Sequence, residues 1–170
     1  MKPIHIVLSQ GVGHTLINAA IQGYEAAYKQ ERLGILFGQI QANTAVVEYA
    51  QLYRGGDRTR SEANVNPNQF TRRVRTLSQE YGSEFLGTFH THNEIAGKIS
   101  SAMSVEDRTH LCLEPPHIVE IIVAIWQSDA PSRQSQQYLQ VDTNGYRLRF
   151  AGYQMCSPFR LIPVTWLGAD

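Results

Sequence analysis

Excess charge of one sign is the first thing this chain lacks. Lys and Arg total 15, Asp and Glu total 15, and the formal net charge is zero. A chain so balanced has no overall field to draw it to nucleic acid or to an anionic membrane. Long apolar runs are missing too. No stretch approaches the roughly 18–20 residues that a membrane span needs. Lys2 is followed only by the short apolar stretch Ile4–Leu8, too little for a signal peptide, so a cytoplasmic location is expected. Cysteine is scarce. Cys112 and Cys156 lie far apart, form no CxxC, and are expected to be buried free thiols. No internal repeat, low-complexity tract or linker breaks the chain. Its 170 residues, 42% of them hydrophobic, suffice for one domain over 1–170 with its own core.

What is present reads as alternating strands and helices. Ile4–Leu8 is a first strand, Gly11-Val12-Gly13 a turn, and residues 15–29 a helix with Ile17, Ile21, Tyr24 and Tyr28 on one face. Residues 34–38 and 44–53 read as sheet, and the polar, Arg-rich stretch 54–66 as a loop. Asn66-Pro67 supplies an N-cap and a first-turn proline for a helix presenting Phe70, Val74, Leu77 and Tyr81. Phe85–His92 is a buried strand, residues 93–103 a loop, and residues 104–113 a short helix ended by Pro115-Pro116. Val119–Trp126 is an almost unbroken apolar run, hence a strand buried on both faces. Asn144-Gly145 marks a type I′ hairpin turn between 137–143 and 146–152, and residues 159–167 close the sequence. These readings predict an α/β fold, a mixed sheet covered by about three helices.

The chemistry concentrates at His90-Thr91-His92. Alternate strand residues share a face, so two imidazoles stand side by side at a reach that suits one zinc ion. A catalytic zinc takes three protein ligands and an open position. Asp107 is the best third ligand because its place is fixed locally. Ser104-x-x-Asp107 has the form of a capping box, which sets Asp107 in the first helical turn. His5, His14, His110 and His117 have no comparable partner, and Gly11-Val12-Gly13 lacks the rest of a phosphate-binding pattern.

These residues resemble the motif of the JAB/MPN+ (JAMM) zinc metalloproteases. Glu31 precedes Gly34-Ile35-Leu36-Phe37-Gly38, the His90/His92 pair follows Gly87-Thr88-Phe89, and Ser104-Val105-Glu106-Asp107 lies downstream. The resemblance covers about residues 1–127. It implies a single cytidine-deaminase-like JAB/MPN domain, a curved mixed sheet flanked by helices. It departs from the family at Asn93, where proline is usual, and in the eleven residues between His92 and Ser104, a longer spacing than usual. Ser100 stands at the usual spacing, but Met103, three residues on, cannot be the acidic ligand. Residues 93–103 are therefore expected to form an enlarged loop bordering the site.

The resemblance also implies roles. His90, His92 and Asp107 would hold one Zn2+ per chain, Glu31 would carry protons, and Ser104 would steady an oxyanion. Glu31 is expected at the end of the first helix, where the dipole would raise its pKa. The implied reaction is zinc-dependent cleavage after the C-terminus of a ubiquitin-like protein, for deconjugation or precursor maturation, in a bacterial conjugation pathway. Two other readings stay open: a JAMM-type zinc peptidase acting on an unrelated protein or peptide, of phage-tail or cell-wall type, and a non-catalytic MPN scaffold of the same fold. The substrate tail could add as a strand under loop 54–66, with Arg54, Arg58, Arg60, Arg72, Arg73 and Arg75 toward an acidic partner. The short 127–136 connection leaves little room for a second insertion. No nucleic-acid or membrane partner is expected, since the arginines are not interleaved with stacking aromatics.

Overall fold

A computed structural model describes residues 2–54, 65–112, 114–129, 138–154 and 160–168. Most of loop 54–66 and of connection 127–136 lies outside these, with Arg58, Arg60 and Cys156. Nine strands and three helices follow in the order β1 (His5–Leu8), α1 (Gln10–Glu25), β2 (Leu33–Gln41), β3 (Thr44–Leu52), α2 (Pro67–Tyr81), β4 (Glu84–Asn93), α3 (Val105–Leu111), β5 (Val119–Gln127), β6 (Leu139–Thr143), β7 (Tyr146–Gln154), β8 (Arg160–Ile162) and β9 (Val164–Trp166). They form one mixed sheet in the order β6-β7-β5-β4-β2-β3-β1-β9, with β8 on β7.

The expected helix-flanked α/β sheet of the JAB/MPN type is overturned. More of the described chain is strand than helix, and its sheet nearly closes on itself like a barrel, because the strands at its two ends, β6 and β9, approach each other. The cause lies in the second half. Strands β6 to β9 carry the sheet around the core, while two of the three helices bury few side chains fully. Helix α2 fully buries only Leu77, with Phe70, Val74 and Tyr81 partly buried beside it over Ile35 and Phe37, and the seven-residue α3 fully buries only Leu111. Helix α1 is the exception: Leu16, Ile17, Ala19 and Ala20 share a core with Ile6, Leu36, Phe89, Ile121 and Phe150. Each fully buried large side chain there contributes about 1.5–3 kcal/mol.

Several boundaries follow their local signals. Asn66 caps α2 through its side chain, with Pro67 in the first turn. Asn144 and Gly145 take φ of 52° and 78°, the positive values that a type I′ turn requires. Strand β5 is buried from Val119 through Ile125. Helix α1 does not follow its expected bounds. Ser9 caps it, accepting from the Val12 N–H, so the supposed Gly11–Gly13 turn is its first turn. It ends at Glu25, which leaves Tyr28 outside the helix and 80% exposed. Gly13 is glycine because a Cβ there would run into the Trp166 indole. Cys112 is exposed, not buried. Among the described residues no helix is long and apolar enough to cross a membrane.

Candidate metal centre

Strand β4 runs between β2 and β5, antiparallel to the first and parallel to the second. Its pleat turns the two imidazoles to one side. Their Nε2 atoms lie 3.0 Å apart. Helix α3 brings the third group. Ser104 and Asp107 form a reciprocal capping box: the Asp107 N–H donates to Ser104 Oγ at 3.1 Å, and the Ser104 N–H donates to Asp107 Oδ2 at 2.7 Å. Asp107 Oδ2 is thereby fixed 3.5 Å from His90 Nε2 and 4.0 Å from His92 Nε2. Nitrogen and oxygen ligands about 2.0–2.1 Å from a tetrahedral metal stand roughly 3.3 Å from one another. The three donors fit that spacing, so His90, His92 and Asp107 could hold a metal ion.

The opposite ring nitrogens are also committed. His90 Nδ1 lies 2.7 Å from Glu120 Oε1, and the other oxygen of Glu120 accepts from the Thr88 hydroxyl. His92 Nδ1 lies 2.9 Å from the Ser100 carbonyl, which can only accept. A proton on each Nδ1 leaves each Nε2 lone pair for a metal, and the partners fix the rings' orientation. Loop 93–103 thus serves the site directly. It is held further by the Tyr153 hydroxyl, which donates to the Ser101 carbonyl at 2.8 Å.

Glu120 joins the site without a motif in the sequence to announce it. Its signal was a lone carboxylate inside the apolar run of β5. A buried charge requires a partner, and the parallel register sets Glu120 beside Thr88, one pleat from His90. Only that register, which is non-local, names the partner.

The charges are strongly coupled. In the metal-free site burial opposes charge on His90, but hydrogen bonds to Asp107 and Glu120 outweigh it and push the ring up to about 10, so a metal bound at Nε2 must displace a proton there. Burial, joined by the charge of His90, holds His92 below its ordinary value. Burial would raise Asp107, yet bonds from His90 and Ser104 hold its carboxyl well below the usual carboxylate range.

Glu31 is not at a helix end. It lies in the connection after α1, two residues before β2. Its carboxyl is pushed up to about 7, and burial rather than a helix dipole is the cause; His90 lowers it and Asp107 raises it, so Glu31 feels the charges of the cluster. A carboxyl poised there can both accept and return a proton at neutral pH. Ser104 accepts from the Asp107 N–H through a lone pair, which leaves its own O–H as a donor. All five expected site residues therefore belong to one region: three as the donor cluster, Ser104 as the cap of Asp107, and Glu31 electrostatically coupled to them.

No protein-family model matches the chain, and the search of curated proteins finds no match. Among solved structures the chain is similar to protein DSY2949 from Desulfitobacterium hafniense, determined in solution. The TM-score is 0.64 at 16% identity, over 96% of this chain and 94% of that one. At that identity the likeness concerns the fold alone.

Proposed function

We propose that this protein is a zinc-dependent hydrolase of peptide or isopeptide bonds, with site chemistry of the JAMM type and a ubiquitin-like protein or its conjugate as substrate. The observation that carries the reading is the convergence of His90 Nε2, His92 Nε2 and Asp107 Oδ2 within 3.0–4.0 Å beside a carboxyl poised near neutrality. Two histidines and one carboxylate suit a hydrolytic zinc, which when bound acidifies a water toward a pKa of about 7 and polarises a carbonyl.

The residues of the chain divide the remaining work. Glu31 takes the proton of the attacking water and later delivers one to the leaving amine. The Ser104 hydroxyl donates toward the oxygen of the substrate carbonyl as charge develops there. Glu120 and the Ser100 carbonyl keep the two rings in the tautomer and orientation that metal binding needs. The ubiquitin-like substrate rests on the motif resemblance of Glu31, His90/His92 and Ser104/Asp107.

The test is incubation of the zinc-loaded protein with linear fusions of candidate ubiquitin-like proteins. Chelator-sensitive cleavage after the modifier's last residue is expected. Cleavage of unrelated peptides only would leave a JAMM-type peptidase with another substrate. A protein that binds zinc but cleaves neither would be a scaffold.

A further inference from the structure

Glu31 sits on a connection rather than in a helix or strand, which is poor support for a group that must meet a water to within a fraction of an ångström. Strand β4 supplies the missing support from the residues that alternate with the metal donors. The Arg32 N–H donates to Thr91 Oγ1 at 2.8 Å, and the Thr91 N–H returns a bond to the Arg32 carbonyl at 2.9 Å. Asn93 Nδ2 donates to the Lys29 carbonyl at 3.1 Å. These bonds grip the chain on both sides of Glu31.

We propose that Thr91 and Asn93 are positioning residues, which hold Glu31 at the metal group by fixing the backbone of residues 29–32. The inference rests on the hydrolase reading above.

Three further observations support it. Thr91 is fully buried and Asn93 is 6% exposed, and buried polar side chains are unfavourable unless bonded. Asn93 Oδ1 has no partner among the described residues, so its amide contributes little there beyond the bond to Lys29. Lys29 has a positive φ of 46°, which non-glycine residues rarely adopt. It is held from several sides: its N–H reaches the Ala26 carbonyl at 2.8 Å, its Nζ donates to the Glu94 carbonyl at 3.3 Å and lies over the Tyr24 ring. One strand therefore carries the metal donors at 90 and 92 and the grip on the proton carrier at 91 and 93. The separation of metal and base is set by the pleat of β4.

The full-length, zinc-loaded protein is compared with Thr91→Val, which keeps shape and loses the hydroxyl, with Thr91→Ser, which restores it, and with Asn93→Ala. On the ubiquitin-like fusion that the wild type cleaves, Thr91→Val and Asn93→Ala should lower kcat by about 10–100-fold. KM and one zinc per chain should be kept, and Thr91→Ser should recover most of the rate. In a Glu31→Gln background Thr91→Val should add no further loss, because both act through one group. Independently of substrate, the Arg32 amide should exchange with solvent at least about tenfold faster in Thr91→Val. Unchanged kcat with zinc retained, an additive loss on Glu31→Gln, or unchanged Arg32 exchange would each overturn the positioning role. A fully active Glu31→Gln, or a wild type that cleaves nothing, would instead remove the hydrolase reading and this inference with it.

Discussion

Glu31 illustrates how a residue suited to the proposed chemistry can oppose stability. Burial disfavours the charge and pushes its carboxyl up to about 7 in the folded, metal-free chain, against 4.5 ordinarily. The folded state therefore binds its proton more tightly than the unfolded state. The sign follows: this group's contribution favours folding below about pH 4.5 and is lost as pH rises toward 7. Glu31→Gln removes the titration. We expect the variant to gain on the order of 1–2 kcal/mol at pH 7.5, after discounting for partial exposure, and nothing at pH 4.5. Denaturant unfolding of both proteins, stripped of metal, across that range measures it. The same variant should keep its zinc and lose at least about a hundredfold in hydrolysis. Glu120 belongs to the same scale. Replacing it by Gln leaves an acceptor for His90 but removes the charge, and Glu120→Ala removes both. Zinc affinity should fall about 10–100-fold in Glu120→Ala and less in Glu120→Gln, measured by competition with a metal-binding dye. Equal affinity in all three proteins would show that Glu120 does not support His90.

At the scale of elements, the parts that were legible in the sequence are those set by neighbours in the chain. The His90/His92 face needs only the period of a strand. The Ser104/Asp107 box and the Asn66-Pro67 start need only one helical turn, and the Asn144-Gly145 turn only two residues. What was not legible depends on distant contact. Gly11 and Gly13 read as a turn because glycine weakens helices, yet Trp166, from the last strand, is packed where a Cβ of Gly13 would sit. That contact makes a sign test. Propensity alone predicts that Gly13→Ala stabilises α1 by about 1 kcal/mol. The collision with Trp166 predicts instead a loss of roughly 1–3 kcal/mol, seen as a lower melting temperature. Glu31's place off the helix has the same kind of cause. The end of α1 at Glu25 and the grip of Thr91 and Asn93 on residues 29–32 are tertiary facts.

Across the whole molecule, the sheet decides where the chemistry lies. β4 carries both histidines between β2, which follows the Glu31 connection, and β5, which carries Glu120. Three segments distant in sequence thus meet at one strand. The near closure of the sheet through β6 to β9 was hidden, because the number of strands is readable while their curvature is not. Helices α2 and α3 read as layers over a sheet but fully bury only Leu77 and Leu111. Whether His90, His92 and Asp107 form one zinc site is read most directly from zinc per chain after dialysis, for the wild type and Asp107→Ala. One zinc in the wild type and little or none in the variant are expected. A wild type without stoichiometric zinc, or a variant that retains it, would rule out this ligand set.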